Sequence, residues 1–416
     1  MIKRFFKITV SLAALVLFTG AVIICCGFFC RLPKGAKVNG VDVGGLNIAA
    51  ATELLRGREK EYLSSKHLRI YAGEQVYEYA YPEINFRDNF EEVLKGVKKR
   101  GDYSAEVCYY LNGQSQIVGY ICDAIDCKPK EPYCTFNKSG EPFTYYSGEK
   151  GYVCDRDKLE NDINSALKGG FEDINLSITA QYPKGNLKGV KESTKLLYTF
   201  TTYFDGANVD RSANIRLAAK KINGTTLYSG EVFSFNNIVG ARTAENGFKR
   251  AKIIQGGQFV SGYGGGVCQV STTLYNAAVL SGLQICEYHP HTLKVSYVAP
   301  SRDAMVSGSY FDLKFKNTRL TPIYIRTNCT FNSITCTIYG QPDGYEYSFN
   351  SIVTGTIPKP KAVEIQGEEG VIRYGWEGTE SVGTVVKTKN GVSKVAFKRK
   401  DSYAPSADVI GVKTAG

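Results

Sequence analysis

The chain has 416 residues, a formal net charge of +11 and twelve cysteines. Its length allows two or three domains, and a hydrophobic content of 43% with 12% aromatic residues excludes a generally disordered protein. The cysteines and histidines do not have the spacing of a zinc site, and no basic helix carries interleaved aromatic residues. The composition therefore predicts no metal, no other cofactor and no nucleic-acid partner.

The N-terminus has the pattern of a membrane anchor. Residues 1–7 contain Lys3, Arg4 and Lys7, whereas residues 8–30 contain no charged residue and are numerous enough to cross a bilayer as one helix. Basic residues before the apolar segment predict a cytoplasmic N-terminus and an extracytoplasmic remainder. A cleaved signal would have a shorter apolar region and a small-residue cleavage site. We therefore expect a single uncleaved transmembrane helix, with most of the chain outside the cytoplasm.

Residues 33–188 follow with the mixed helix and strand patterns of an α+β domain. The motif VNGVDVGGL at residues 38–46 predicts a tight turn between two short strands, and a helix is expected to begin at Asn47. A second amphipathic helix is predicted over residues 158–167. Such a domain serves equally well as a ligand-binding module or as a spacer, and both interpretations stay open.

Residues 191–340 form the next α+β region. A strand is predicted over residues 196–203 and a helix over residues 212–222, followed by short strands between glycine turns. Residues 310–316 and 323–326 have the pattern of two further strands that pair with each other. This region contains all the candidate catalytic residues described below.

Residues 341–416 predict a small β-rich tail. Two alternating segments, 383–389 and 392–398, flank Asn390 and Gly391, which is the sequence pattern of a two-residue β-hairpin turn. The tail contains no catalytic group of residues of its own. We expect it to form an appendage.

The stretch that the rest of the chain is organised around is GYGGGVCQVSTTLYNAA, at residues 262–278. Consecutive glycines let backbone N–H groups approach a ligand closely. Residues 270–281 have one apolar helical face and Gly282 is a plausible stop, so Cys268 lies in the first turn of a helix. The N–H groups and partial positive charge of a helix start favour the thiolate, and they can also hold the oxyanion of a tetrahedral intermediate.

Two of the three histidines of the chain are His289 and His291, separated by one proline. A strand over residues 284–288 would return beside the helix start and bring an imidazole to Cys268, as a nucleophile and base require. Alternation places both histidines on the same strand face, so this pattern does not choose between them. His291 leads directly into a second expected strand over residues 293–298. We therefore predict His291 as the base, with His289 as a positioning residue.

Several motifs of this region, in the same order, resemble the VanW domain. They are FSFN at 233–236, GART at 240–243, GF at 247–248, the GGGVCQVSTTLYNAA run, HPHT at 289–292, RDA at 302–304 and FKN at 315–317. The resemblance extends from about residue 191 to residue 340. The chain departs from the family pattern at Ser229, where proline is frequent, and at Ser301, where glycine is frequent. Neither departure affects the predicted chemistry.

The resemblance implies a bacterial cell-wall protein. VanW-domain proteins are associated with cell walls and glycopeptide resistance, and some are cysteine-dependent L,D-transpeptidases, so the implied partners are peptidoglycan stem peptides and other wall-synthesis proteins. Residues 33–188 are similar to the peptidoglycan-binding module that often precedes VanW domains. The predicted α+β architecture is thus a cytoplasmic N-terminus (1–7), a transmembrane helix in the bacterial cell membrane (8–30), a wall-binding domain (33–188), a VanW-like catalytic domain (191–340) and a β-rich C-terminal region (341–416).

In an acyl transfer, Cys268 would attack a stem-peptide carbonyl and His291 would act as the base. Asp303 is the candidate that orients the imidazole, and Arg302 is the candidate that binds a substrate carboxylate. A turn residue and a surface charge explain Asp303 and Arg302 equally well. Further candidates for oxyanion or substrate binding are Gly265, Gly266, Gln269 and Ser271.

Two other functions stay open at this point. Cys268 is a small residue of a type that is often buried, so the protein could be a non-catalytic wall-binding or glycopeptide-resistance accessory protein. A cysteine at a helix start followed by a histidine also occurs in wall endopeptidases of the NlpC/P60 type. Transfer and hydrolysis differ only in whether an amine or water meets the thioester.

The cysteines outside the active-site stretch are candidates for disulfides. Cys329 and Cys336 flank a hairpin-like turn and form the strongest candidate pair. Cys122 with Cys127 and Cys134 with Cys154 are weaker candidates. The connectivity does not follow from sequence alone.

Overall fold

The computed structural model describes residues 31–412 apart from 256–257, 309 and 367–369. The helices are α1 (Ile48–Ser64), α2 (Phe90–Gly96), α3 (Gln114–Ile125), α4 (Arg156–Gly169), α5 (Leu187–Glu192), α6 (Val209–Ile222), α7 (Phe235–Val239) and α8 (Val267–Leu280).

The first strands are β1 (Ala36–Val38), β2 (Val41–Asp42), β3 (His67–Ala72), β4 (Gln75–Ala80), β5 (Ile84–Asp88), β6 (Gly101–Tyr103), β7 (Val107–Leu111), β8 (Tyr133–Phe136), β9 (Phe143–Tyr146), β10 (Gly151–Cys154), β11 (Ile174–Asn175), β12 (Ile178–Gln181) and β13 (Lys195–Tyr203). The later strands are β14 (Thr225–Leu227), β15 (Val232–Ser234), β16 (Arg250–Gln255), β17 (Gln258–Tyr263), β18 (Gln284–Glu287), β19 (Lys314–Lys316), β20 (Ile323–Cys329), β21 (Ser333–Gly340), β22 (Glu346–Ile357), β23 (Val363–Gln366), β24 (Gly370–Arg373), β25 (Gly378–Lys389), β26 (Val392–Tyr403) and β27 (Val409–Val412).

The prediction of a fold with a transmembrane helix is corrected by these elements. In the part of the chain that the structure describes, no helix is long and apolar enough to cross a membrane. The longest of these helices, α1, has 17 residues and carries several charged side chains, since only one of its faces is buried. The predicted segment itself, residues 8–30, lies outside the described residues. The described chain is an α+β protein.

The described chain divides into two compact units. One comprises residues 31–130 and Glu149–Pro183, and the other comprises Glu131–Gly148 and residues 184–412. The hairpin of β8 and β9 therefore belongs to the second unit, although it interrupts the first in sequence. Its Phe143 packs edge-on against a tyrosine of β20, with ring centroids 5.0 Å apart.

The first unit confirms several local predictions. β1 and β2 form the tight pair expected for VNGVDVGGL, and the side chain of Asn47 caps α1 by accepting from the N–H of Ala50 at 2.8 Å. The second helix is α4, capped by the side chain of Asp155 and ended by Gly170 in the left-handed conformation. The strands form four small sheets, in the orders β2-β1-β6, β11-β3-β4, β10-β12 and β5-β7.

The disulfide of the first unit joins Cys122 of α3 to Cys154 of β10. All of the predicted cysteine pairs are therefore wrong. Cys329 and Cys336 are free because the register of β20 and β21 places Cys329 opposite Ile334 rather than opposite the second cysteine.

The second unit is built around the buried helix α8. Apart from the half-buried Cys268, every residue of α8 is buried, and the helix packs against α6, β13, β18, β21 and β22. β13 and β21 belong to a sheet with the order β13-β21-β20-β14. Such a helix is not amphipathic in the usual sense, because it lies inside the core rather than on its surface.

The C-terminal strands belong to the same core. β22, β25 and β26 form an antiparallel sheet, and Phe349 and Val385 from this sheet lie in the hydrophobic cluster that contains α8. The hairpin turn at Asn390 and Gly391 is confirmed, with both residues at positive φ as a type I′ turn requires. The expectation of a separate appendage is wrong, because the inner side of this sheet covers the helix.

Two strand predictions near the site are also wrong. β19 pairs with β15 and β18, whereas β20 pairs with β14 and β21, so the expected pairing of these two segments does not occur. The strand expected at residues 293–298 is absent, and residues 288–313 form an irregular segment. This segment carries His291 and Asp303, and side-chain hydrogen bonds rather than a strand ladder hold it in position.

Candidate active site

The glycines before Cys268 are required by the way the loop packs. Gly266 caps α8 with a φ of 103°, a left-handed conformation that L side chains rarely adopt. A Cβ at Gly265 would lie 2.7 Å from the carbonyl oxygen of Lys252. Gly266 provides no side-chain cap, and the N–H groups of Val267 and Gln269 donate to the carbonyl oxygens of Gly264 and Gly266, each at 3.0 Å. Cys268 therefore lies in the first turn of α8, directly after the glycine loop.

The Cys268 side chain is half-buried at the second residue of α8. Its Sγ lies 3.3 Å from the carbonyl oxygen of Val306, which fixes the side chain on the side of the irregular segment. The imidazole of His291 lies close enough to the thiol for each group to shift the pKa of the other. The nucleophile and the predicted base are therefore brought together.

Asp303 holds the imidazole of His291 from the other side. Oδ2 of Asp303 lies 2.7 Å from Nδ1 of the ring and also accepts the backbone N–H of His291 at 2.7 Å. Both side chains are buried, with 4% and 0% of their surface exposed. Because Nδ1 is engaged by the carboxylate, Nε2 is the nitrogen left for Cys268, and the ring is held at two points.

The charges of these three groups support one another. Burial alone would raise the pKa of the Cys268 thiol, but the hydrogen bond and positive charge of His291, together with Arg242, lower it below the ordinary value. Burial alone would lower the pKa of His291, but its bonds to Asp303 and Cys268 raise it to about 9. Burial alone would raise the pKa of Asp303, but its hydrogen bond and charge interaction with His291 lower it below the ordinary value. The geometry therefore favours a thiolate, an imidazolium and a carboxylate in series.

Two residues of β26 complete the support of Asp303. The hydroxyl of Tyr403 donates to Oδ1 of Asp303 at 2.6 Å, and a guanidinium nitrogen of Arg399 donates to its backbone carbonyl at 2.8 Å. Arg399 is in turn held by Asp401 through two hydrogen bonds of 2.7 and 2.9 Å. Sequence analysis missed these residues. They lie beyond the predicted strand, which ended at residue 398, whereas β26 continues to Tyr403 and buries every second residue of this last part.

Four of the predicted site residues are committed to other partners. His289 bonds Glu287 at 3.0 Å and lies against the ring of Phe311. The guanidinium of Arg302 donates to Asn276 at 2.9 Å, two turns along α8 from the thiol.

The other two, Gln269 and Ser271, bond within the core. Gln269 accepts from Arg211 at 2.7 Å and donates to the carbonyl oxygen of Tyr203 at 2.8 Å. The hydroxyl of Ser271 donates to the carbonyl oxygen of Ala304 at 2.6 Å. Gln269 therefore joins α8 to α6 and β13, and Ser271 joins α8 to the irregular segment, so the hydrogen-bonding groups of both side chains are used within the core.

Three further residues lie in the electrostatic surroundings of Cys268. Arg211 begins α6, Arg242 follows α7, and Tyr297 belongs to the irregular segment. Burial raises the pKa of the Tyr297 phenol well above its ordinary value, and the nearby Cys268 adds to this rise. None of the three was assigned a site role from sequence, because they are separated from the cysteine by 57, 26 and 29 positions and approach it only in the fold.

The comparisons with known proteins agree with the location of this site. Residues 210–339 match a family model described as VanW like protein. An uncharacterized protein of Bacillus subtilis strain 168, YoaR, is 46% identical over 147 residues, which cover 35% of this chain and 48% of the relative. The vancomycin B-type resistance protein VanW of Enterococcus faecalis strain ATCC 700802 / V583 is 29% identical over 147 residues, covering 34% of this chain and 50% of the relative.

The match spans about half the length of these curated relatives. No solved structure matches the chain. The matched family region contains Cys268, His291 and Asp303, whereas Arg399 and Tyr403 lie beyond its end.

Proposed function

Because residues 210–339 match a family model described as VanW like protein, we propose that the chain acts in the bacterial cell wall as a cysteine-dependent L,D-transpeptidase. Its substrates would be peptidoglycan stem peptides, which it would cross-link through a thioester on Cys268. The observation that carries this proposal is that the His291 imidazole, which is hydrogen-bonded to Asp303, lies beside Cys268 and lowers the pKa of its thiol. The relative from Enterococcus faecalis is named for vancomycin B-type resistance, which supports a role connected with the wall.

The first half-reaction is acylation. The Cys268 thiolate attacks the carbonyl carbon of the donor peptide, and the carbonyl oxygen becomes an oxyanion near the uncapped start of α8. The C–N bond then breaks, and the leaving amine takes the proton of imidazolium His291. A thioester on Cys268 and a neutral His291 remain.

The second half-reaction is transfer. The side-chain amine of another stem peptide attacks the thioester, and neutral His291 accepts the proton that this amine loses. The C–S bond breaks and restores the thiolate beside imidazolium His291. Asp303 keeps Nδ1 protonated throughout, which holds the ring in the orientation that both proton transfers need.

A purely structural cysteine is less consistent with these observations. A buried thiol without a cationic partner has a raised pKa, as burial produces for Cys336 in the same unit. Cys268 instead has a lowered pKa and a base held against it by a buried carboxylate. Such an arrangement is expected of a nucleophile.

The experiment that tests the proposal combines the purified full chain with purified stem peptides. Mass spectrometry of the intact protein would detect the acyl adduct on Cys268, and analysis of the peptides would detect cross-linked product. Cys268→Ala provides the inactive control, because a small side chain replaces a small one without affecting the hydrogen bond of His291 to Asp303.

An adduct without cross-linked product, together with shortened peptides, would identify a hydrolase instead. A folded wild-type chain that forms neither adduct nor product would refute catalysis and leave wall binding as the function.

A further inference from the structure

We propose that Arg211 and Arg242 form a carboxylate-binding site beside Cys268, so that the acyl donor is cleaved at its last peptide bond, next to a free terminal carboxylate. The inference rests on the proposed function and specifies its substrate class. These two arginines take the carboxylate-binding role that sequence analysis gave to Arg302. The guanidinium of Arg302 is instead bonded to Asn276, elsewhere on the helix.

The two arginines lie on either side of the loop that precedes the nucleophile. The Cγ of Arg211 lies 3.0 Å from the position that a Cβ of Gly266 would occupy. The Cβ and Cγ of Arg242 both lie 2.8 Å from the corresponding position of Gly264. The arginines therefore pack against the first and third glycines of the run that leads into Cys268.

Each guanidinium is held by a neutral side chain. One nitrogen of Arg211 donates to Gln269 at 2.7 Å, and one nitrogen of Arg242 donates to Asn236 at 2.6 Å. These bonds orient the two planar groups and leave other N–H groups of each available. Arg242 also lies over the ring of Phe235, at 5.6 Å from its centroid, which limits its motion further.

Neither arginine has an anionic partner among the described residues. The carboxylates that act on them are Asp205 for Arg211 and Asp312 for Arg242, and neither forms an ion pair, whereas Cys268 acts on both arginines. The carboxylate of Asp312 is engaged by the hydroxyl of Ser234 at 2.5 Å, and that of Asp205 by a backbone N–H at 2.9 Å. Apart from the charge of Cys268, no anionic group among the described residues therefore pairs with these two partly buried guanidinium groups.

Partial burial of a cation without a partner is unfavourable, and it lowers the pKa of both arginines. An anionic ligand would remove this cost. Both arginines interact electrostatically with Cys268, so the ligand's negative charge would lie near the thiol. A carboxylate is the matching group, because the planar guanidinium binds it through two parallel hydrogen bonds.

The position of the site defines which peptide bond reaches the thiol. In a donor with a free terminus, a single Cα separates the scissile nitrogen from the carboxylate of the leaving residue. A carboxylate held by Arg211 and Arg242 therefore brings the last peptide bond to Cys268. An internal peptide bond has no free carboxylate at this spacing. A peptide that offers only internal bonds would therefore be a poor acyl donor.

Binding can be tested without catalysis on the full chain carrying Cys268→Ala. Calorimetry would compare a stem tetrapeptide that has a free terminal carboxylate with the same peptide as its terminal carboxamide. We expect the free acid to bind about 10- to 100-fold more tightly, which is the effect of losing a hydrogen-bonded charge partner. Adding Arg211→Gln or Arg242→Gln should remove this preference.

Arg216→Gln is the matched control. Arg216 lies on α6 with Arg211, but its guanidinium donates to the carbonyl oxygens of Thr330 and Phe331, away from the glycine loop. This substitution should leave the preference for the free acid unchanged.

Acylation of the chain with Cys268 intact supplies a second comparison. If the arginines bind the carboxylate, Arg242→Gln should slow acylation by the free acid more than acylation by the carboxamide, because the lost charge near the thiol affects both donors and the lost carboxylate contact affects only the free acid. Equal slowing with both donors would mean that Arg242 acts only on the thiol, and equal affinity of the two peptides would likewise overturn the inference. Failure of the proposed function is distinguishable, because it appears as the absence of any adduct even where the binding preference is present.

Discussion

The hydroxyl of Tyr403 donates a 2.6 Å hydrogen bond to Oδ1 of Asp303, a residue 100 positions earlier in the chain. The other oxygen of Asp303 holds Nδ1 of His291. The C-terminal strand β26 thus takes part in positioning the base, although it lies outside the region that matches the VanW family. The residues of the proposed catalytic site therefore extend beyond the region that matches the family.

Tyr403→Phe is expected to lower kcat by roughly 10-fold with little change in KM. The substitution removes the bond to Asp303 and also an acceptor for the backbone N–H of Ser301, at 2.6 Å. Loss of a hydrogen bond to a charged group should lower the free energy of unfolding by about 1.5–3 kcal/mol. Steady-state kinetics and denaturant unfolding would measure the two effects.

Tyr374→Phe is the control for this prediction, because Tyr374 is 75% exposed. It should change neither quantity. An unaltered kcat in a folded Tyr403→Phe protein would show that β26 only stabilises the fold.

The two histidines are expected to differ in their effect on the thiol and on turnover. His291→Ala should raise the pKa of Cys268 and slow transfer by about 10²- to 10⁴-fold, because both the base and the positive charge are lost. His289→Ala should have a much smaller effect, since its ring bonds Glu287. Site-resolved alkylation across pH, with exposed Cys286 as an internal reference, would test the ranking. A larger defect in His289→Ala would refute it.

The pH dependence of the wild-type chain should show whether His291 acts as the acid that protonates the leaving amine. His291 is protonated below its raised pKa of about 9, so its ability to protonate the leaving amine is present below that pH and is lost above it. Transfer should therefore decline as the pH rises through about 9, whereas alkylation of Cys268, which needs no acid, should not decline. A parallel decline of both rates would argue against His291 as the acid.

Removing the disulfide of the first unit is expected to destabilise that unit. Cys122 and Cys154 are separated by 32 positions, and closing a loop of this length corresponds to about 3–4 kcal/mol in the chain-entropy model. Cys122→Ser with Cys154→Ser should lower the unfolding temperature of the first unit and leave acylation of Cys268 unchanged. Non-reducing peptide mapping would check the pairing, and recovery of a Cys134–Cys154 peptide would contradict it.

Local sequence patterns were enough for the elements whose residues interact mainly with near neighbours. The turn at residues 38–46, the cap at Asn47 and the hairpin at Asn390 and Gly391 were all predicted correctly, because capping and turn conformation depend on a few adjacent residues. The helix start at Cys268 followed from its glycines in the same way. The bilayer-length segment at residues 8–30 was a pattern of composition alone, and the described residues contain no membrane-spanning helix.

The site itself depended on contacts between distant residues. From sequence, Cys268 and His291 were a candidate pair, but the strand expected after His291 at residues 293–298 does not form, and the hydrogen bonds to Asp303 position the histidine instead. The contact of Tyr403 with Asp303 joins residues 100 positions apart in the chain. Cys329 and Cys336 are separated by the register of β20 and β21, which the alternating pattern of these strands did not define. Sequence determined which residues had the chemistry of a cysteine nucleophile and its base. Only the tertiary structure decided which arginine, carboxylate and tyrosine surround them, because long-range packing fixes those distances and local periodicity does not.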